Sequence, residues 1–305
     1  MLLQHPTARA KMGVIYLDHN FVSDIAGHTR VADADAERGR ATETVRAGEH
    51  RFAVSVWNMY ETARAGRKET KDGCIEFITG VRPLYCANPR LVQVQEVVRY
   101  AADRYNDHPY RVEEVSPFFD TPAQMWATFA SPHNPATPFV GESFRDGVEM
   151  LTHSDLRRHL DAALDDGPVA AAVGRQAFVE GVLERDEQLI DQQWLMELLP
   201  ERNQADNAWI DQRRRVALVD FLLAHIDDAY LRCPAFHAEE QTYRHRVASQ
   251  RRLRRSDGID VQFGVLAVAY CDVIVTSDRA FREMLIAVAA RIDSQCRVLS
   301  RLAEI

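Results

Sequence analysis

The sequence predicts a three-layer α/β/α fold with a mostly parallel central sheet, interrupted by an all-α insertion. Two observations predict the sheet: short, continuously apolar runs of strand length, and their alternation with helical patterns along the chain. A third predicts the insertion, because the alternation stops near residue 105 and resumes near residue 241. We therefore divide the chain into a first part, residues 1–105, an insertion, residues 106–240, and a second part, residues 241–305.

The first part begins with an apolar strand over residues 12–17, which Asp18-His19-Asn20 follows directly. A second strand is predicted over residues 51–56, and Asn58 is the expected cap of the helix that carries Glu61. The other predicted elements are helices at 21–28, 34–48, 72–80 and 91–102, and a short strand at 82–86.

The insertion differs from the rest of the chain in pattern and in charge. Residues 106–141 alternate prolines with aromatic residues, which predicts an irregular segment packed onto the core rather than a disordered one. Residues 106–240 carry 25 acidic and 11 basic side chains, whereas the remainder has a net charge of +6. Helical patterns follow at 151–164, 169–183, 189–199 and 209–231.

The second part opens with six arginines and no acid between residues 241 and 255. A buried helix is predicted from Asp260 to Tyr270, then a β-branched strand over residues 273–276, with Asp278 two residues beyond it. A helix at 281–290 and a last strand at 296–299 complete the pattern.

Composition excludes several classes of protein. A hydrophobic fraction of 46% in 305 residues is enough for a full core, so the chain is not a disordered protein. Its five cysteines have no paired short spacing, which argues against a zinc ribbon or a disulfide framework. We find neither a signal-peptide pattern nor an apolar run of the ~20 residues that a membrane span needs. A cytoplasmic protein without a membrane partner is expected.

Three segments together resemble the PIN domain, a family of metal-dependent nucleases. They are Val14-Ile-Tyr-Leu-Asp18-His-Asn20, Val54-Ser-Val56 leading to Glu61, and Asp260 leading through Ala267-Val-Ala269 to Val275-Thr-Ser-Asp278. The family pattern has an acid after the first strand, a Glu on the helix after the second, an Asp that opens a helix, and an Asp after the next strand in a Thr-x-Asp context. The resemblance covers roughly residues 12–105 and 241–305.

The resemblance implies a nuclease that hydrolyses phosphodiester bonds, and the substrate it indicates is RNA rather than single-stranded DNA. Mg²⁺ and Mn²⁺ are hard cations that prefer carboxylate oxygens, and a pair of such ions supports phosphodiester hydrolysis. The implied catalytic and metal-binding residues are Asp18, Glu61, Asp260 and Asp278. Asn20, Thr276 and Ser277 are expected to orient these carboxylates. Asp257, His19 and Asp272 are interpreted as a helix cap, a bystander and a turn residue.

Arginines supply the candidate nucleic-acid contacts. Arg251, Arg252, Arg254 and Arg255 lie just before the Asp260 helix, where positive charge would meet a phosphate backbone, although a solvated helix face has the same pattern. Residues 213–215 are a weaker candidate of the same kind. The acidic insertion would repel nucleic acid from any surface it covers, and is a candidate site for a protein partner or self-association.

Two other functions fit part of the sequence. A PIN-like module that binds nucleic acid or protein without cutting would have no need for the set of four acids. A phosphatase of the haloacid dehalogenase type also has an Asp after its first strand, but usually has a second Asp where this chain has Asn20. The only lysines, at 11, 68 and 71, include no obvious catalytic one. PIN-like toxins, RNA-processing enzymes and defence effectors are not separated by any residue of the sequence.

Overall fold

The computed structural model describes seven stretches of the chain, to which all structural statements below refer. They are residues 12–26, 33–105, 108–129, 141–153, 190–202, 208–249 and 257–305, with only the backbone described for Val247 and for residues 257–260. The predicted helix at 169–183 and the arginines at 251, 252, 254 and 255 lie outside these residues.

Six strands form one sheet in the order β4-β3-β2-β1-β5-β6. All neighbouring strands are parallel except β4, which is antiparallel to β3 at one edge. The strands are β1 (Gly13–Leu17), β2 (His50–Val54), β3 (Leu84–Cys86), β4 (Phe118–Phe119), β5 (Val273–Val275) and β6 (Arg297–Leu299). This is the mostly parallel α/β sheet that the sequence predicts.

Helices cover the sheet on both faces. Consecutive residues of a strand point to opposite faces, and the last three residues of β1, of β2 and of β5 are all buried. The first helices are α1 (His19–Ala26), α2 (Ala34–Ala47), α3 (Val56–Arg64), α4 (Lys68–Val81), α5 (Pro89–Arg104), α6 (Pro122–Ala127) and α7 (Phe144–His153). The later ones are α8 (Gln192–Leu198), α9 (Gln212–Ala224), α10 (Ile226–Arg232), α11 (Pro234–Ala248), α12 (Asp257–Tyr270) and α13 (Arg279–Arg291).

The principal helix contacts fall into two groups. Helices α1, α2, α3, α4 and α7 pack on one another, and α5, α10, α11, α12 and α13 form the second group. Helices α1 to α4 lie in the connections from β1 to β2 to β3, and α7, which comes after β4 in the chain, packs on them. The helices of the second group lie in the connections from β3 to β5 and from β5 to β6. Right-handed crossovers in opposite directions place such groups on opposite faces of the sheet.

The prediction of an all-α insertion is wrong at its beginning. Phe118 and Phe119 form strand β4 on β3, because the edge of β3 offers unpaired backbone groups and the two aromatic residues pack against the main core. Trp126 of α6 and Phe144 of α7 are buried in that same core. The expected packing of the aromatic segment, residues 106–141, onto the core is thus confirmed for Phe118, Phe119 and Trp126.

The later part of the insertion builds a second core on α5. Val97 and Tyr100 of α5 are buried there with Leu195 of α8 and Leu222 of α9. Helix α11 leaves this core and continues through residues 240 and 241, where the sequence suggested a boundary, to pack on α12 and α13. No described helix is long and apolar enough to cross a membrane.

Two local predictions need correction. Asn58 is not the cap of α3: the cap is Ser55, and Asn58 is the third residue inside a capping box. The single helix predicted over residues 209–231 is two helices, α9 and α10, because the backbone of His225 is non-helical (φ −126°, ψ 25°).

Candidate functional site

Asp18 and Asp278 lie at the point where the strand order reverses. From β1 the chain moves to β2 and β3 on one side, and it returns to β5 on the other. Asp18 follows β1 and Asp278 follows β5, and the Asp18 amide donates to the Val275 carbonyl at 3.0 Å. In open parallel sheets, ligands bind beyond the strand carboxyl ends at such a reversal.

Thr276 connects the two acids through its hydroxyl group. The Thr276 Oγ1 accepts a hydrogen bond from the Asp278 amide at 3.1 Å and lies 2.7 Å from Asp18 Oδ2. Since a carboxylate has no proton to give, the hydroxyl proton is donated to Asp18. Thr276 is fully buried, and its own amide donates to the Leu299 carbonyl at 3.1 Å. The predicted role of Thr276 as an orienting residue therefore has a direct geometric basis.

Asp278 also caps a helix. Its Oδ1 accepts a hydrogen bond from the Phe281 amide at 2.9 Å, which satisfies one of the free amides at the start of α13. The cap fixes one carboxylate oxygen and leaves the side chain partly exposed. Ser277, between Thr276 and Asp278, is exposed, and no contact of its side chain is described.

Burial raises the pKa of Asp18 from 3.8 to about 6. Hydrogen bonds from the Thr276 hydroxyl, the Asn20 side chain and the His19 amide oppose this shift, and the negative charge of Asp278 adds to it. In the described part of the chain, neither acid forms an ion pair with Lys, Arg or His. Asp18 is therefore a buried acid whose charge no described cation balances.

The structure gives less support to the other two predicted metal ligands, Glu61 and Asp260. Glu61 lies in the second turn of α3, 28% exposed, with an Oε1 3.6 Å from the guanidinium of Arg64. No contact between Glu61 and Asp18 or Asp278 is described. Asp260 lies in α12, but its side chain is outside the described residues. Within those residues, no group of three or more acidic, His or Cys side chains is arranged to hold a metal ion.

Sequence reasoning missed the role of Asn58 in this region. Its Nδ2 donates to the carbonyl of Leu17, the residue before Asp18, at 3.0 Å. A signal was available: Asn58 stands within the apolar run Val56-Trp57-Asn58-Met59-Tyr60, and a polar residue buried in such a run needs hydrogen-bond partners.

His19, the expected bystander, has a neutral ring at pH 7. Burial lowers the pKa of His19 to about 4, and among the described residues its Nδ1 has no hydrogen-bond partner. Asp272 lies at a bend just before β5, where a turn residue was expected, and its Oδ2 accepts the Val14 amide of β1 at 2.7 Å.

The proposed phosphate contact at residues 213–215 is wrong for Arg215. Its guanidinium is buried and donates to the carbonyls of Met196 and Leu199, the latter at 2.6 Å, so it closes the end of α8. Arg213 is exposed, and Arg214 donates to the His108 carbonyl at 3.3 Å.

Arg215→Ala is expected to lower the free energy of unfolding by about 3 kcal/mol, because two buried carbonyls lose their donor. Arg213→Ala, two positions away on the exposed side of α9, should change it by less than about 0.5 kcal/mol. Urea unfolding of both variants measures the difference. Equal stability of the two variants would show that Arg215 does not hold α8.

Comparisons with protein-family models, with curated proteins and with solved structures each returned no match to this chain. Site geometry and chemistry therefore carry the functional conclusion.

Proposed function

We propose that this protein is a metal-dependent nuclease of the PIN-like type, which hydrolyses phosphodiester bonds in RNA. The observation that carries the proposal is the pair Asp18 and Asp278 at the reversal of strand order, one of them buried without a described cationic partner. A buried, uncompensated carboxylate is costly to retain unless it has a use, and perturbed acids in such positions mark functional sites.

The fold supports this proposal at three points. The two acids follow β1 and β5, which are parallel neighbours, so both acids lie beyond adjacent strand carboxyl ends. The Thr-x-Asp segment also links the two acids, because the Thr276 hydroxyl donates to the Asp18 carboxylate and accepts a hydrogen bond from the Asp278 amide. Glu61, the second acid of the pattern, is on the helix that follows β2.

The donor set fits Mg²⁺ or Mn²⁺. Asp18 and Asp278 supply carboxylate oxygens, which hard cations prefer, and we propose Glu61 and Asp260 as the remaining ligands, directly or through water. When bound, such ions activate the attacking water and stabilise the leaving oxygen of a phosphodiester. Thr276 and Asn20 donate to the Asp18 carboxylate, which favours its ionised form against the effect of burial and orients it.

Other features of the chain fit a cytoplasmic RNA-cleaving enzyme. All five cysteines are free and buried, which suits a reducing compartment. We propose that substrate phosphates bind the arginines at 251, 252, 254 and 255, which precede the helix of Asp260. The late insertion helices, which pack on α5, remain our candidate surface for a protein partner or self-association.

A cleavage assay on RNA, single-stranded DNA and duplex DNA with Mn²⁺ tests the proposal. We expect cleavage of RNA that EDTA abolishes and that Asp278→Asn reduces by about 10³-fold, the equivalent of roughly 4 kcal/mol of lost transition-state stabilisation. Asn keeps the helix cap, so the fold should survive. Asp35→Asn, at a side chain that is 95% exposed on α2, is the matched control.

Two outcomes would contradict the proposal. Full activity of the purified Asp278→Asn variant would show that catalysis does not need the pair of acids. If the protein binds RNA but does not cleave it in the presence of Mn²⁺, a PIN-like binding module would be favoured instead.

A further inference from the structure

The Asn58 side chain uses both ends of its amide inside the core. Its Oδ1 accepts hydrogen bonds from the Ser55 amide at 2.8 Å and from the Ser55 hydroxyl at 3.0 Å. Its Nδ2 donates to the Leu17 carbonyl at 3.0 Å, and Asn58, Ser55 and Leu17 are all fully buried. The amide thus joins the start of α3 to the end of β1, 41 residues earlier in the chain.

Helix capping explains only half of these contacts. A capping box needs an acceptor on the third helical residue, which Glu or Gln usually supplies. The acceptor here is the Asn58 Oδ1, and the cap makes no use of the Nδ2 group. The donation to Leu17 therefore has a separate consequence, which is to fix α3 against the carboxyl end of β1.

Both ends of this connection carry a proposed ligand. Leu17 is followed by Asp18, and Asn58 is followed three residues later by Glu61, which places Asn58 and Glu61 on neighbouring positions of one helix face. A shift of α3 along β1 would change the separation of the two carboxylates. Metal sites lose affinity when the groups that orient their ligands are removed.

We propose that Asn58 is a positioning residue that sets Glu61 relative to Asp18 and thereby the affinity of the site for a divalent cation. This inference rests on the proposed function, because it presupposes that Asp18 and Glu61 bind the same ion or ion pair. In this role Asn58 acts through its contacts to Ser55 and Leu17, not as a ligand of the ion.

The test compares Asn58→Asp with Ser55→Ala by calorimetric titration with Mn²⁺ at pH 8. Asp at position 58 keeps the acceptor for Ser55 but loses the donor to Leu17. Ser55→Ala removes one donor of the cap and leaves the Leu17 contact in place. We expect the Asn58→Asp variant to bind Mn²⁺ about 10-fold to 100-fold more weakly than wild type, and Ser55→Ala to stay within about 3-fold.

Asn58→Ala is the second variant, because a carboxylate facing the Leu17 carbonyl could prevent folding. It adds no charge and also lacks the donor, so the same loss of Mn²⁺ affinity is expected, with circular dichroism confirming the fold. Wild-type affinity in the folded Asn58 variants would overturn the inference while leaving the proposed function intact. Absence of Mn²⁺ binding by the wild-type protein would overturn the proposed function, and the inference with it.

Discussion

Asp18→Asn is expected to make the metal-free protein more stable while it abolishes cleavage. The pKa of Asp18 rises from 3.8 to about 6 on folding, so the native state binds a proton more tightly than the unfolded chain. The wild-type free energy of unfolding therefore falls as pH rises from about 4 to about 6, by up to about 3 kcal/mol for this group. Asn carries no charge and still accepts the Thr276 hydroxyl.

Urea unfolding in EDTA between pH 4 and pH 8 measures this effect. The two proteins should differ little near pH 4, and the variant should be more stable by up to about 3 kcal/mol at pH 8. Added Mn²⁺ should raise the wild-type stability at pH 8 and leave the variant unchanged, because only the wild type binds the ion. A variant that is less stable than wild type at pH 8 without metal would contradict the account of Asp18 as a buried charge that no described cation balances.

Glu96→Ala is expected to lower the free energy of unfolding more than Arg215→Ala does. The buried Glu96 carboxyl accepts the Ala235 and Phe236 amides, both at 3.0 Å, and the Tyr270 hydroxyl at 2.6 Å. Glu96, a residue of α5, thus caps the start of α11. It also accepts a hydrogen bond from Tyr270, the last residue of α12. Removal leaves these three donors, two of them on buried residues, without their acceptor and opens a cavity, at a cost of about 4 kcal/mol.

The cost should depend on pH. Burial raises the pKa of Glu96 from 4.5 to about 7, so the wild-type protein loses stability from this group as pH rises from about 4.5 to about 7. The deficit of the variant should therefore be largest near pH 4.5 and smaller at pH 8, as measured by urea unfolding. Glu76→Ala, at an exposed position of α4, is the control. Equal stability of the two variants at pH 4.5 would show that Glu96 does not join α5 to α11.

Local sequence patterns were sufficient to predict the part of the fold that carries the site. Continuously apolar runs located β1, β2 and β5, since buried parallel strands need no polar face. The acids after β1 and β5 follow directly from that placement. Thr276 was expected to orient a carboxylate, and it donates to Asp18.

Contacts between distant residues could not be predicted in this way. Asn58 finds its acceptor 41 residues away and Glu96 its donors 139 and 140 residues away, so neither partner appears in a local pattern. Arg215 resembles its exposed neighbours in sequence, and only the packing of α8 on α9 buries it. The two-residue strand β4 is too short for periodicity to show, and it forms because β3 offers an edge.

Titration of Mn²⁺ into the wild-type protein, followed by calorimetry beside Asp18→Asn and Asp278→Asn, tests the central claim most directly. The claim is that Asp18 and Asp278, beyond the carboxyl ends of β1 and β5, bind a divalent cation. We expect saturable binding to the wild type at pH 7.5 and its loss in both variants, with the fold retained. No saturable binding to the wild type, or unchanged binding to Asp18→Asn, would contradict the claim.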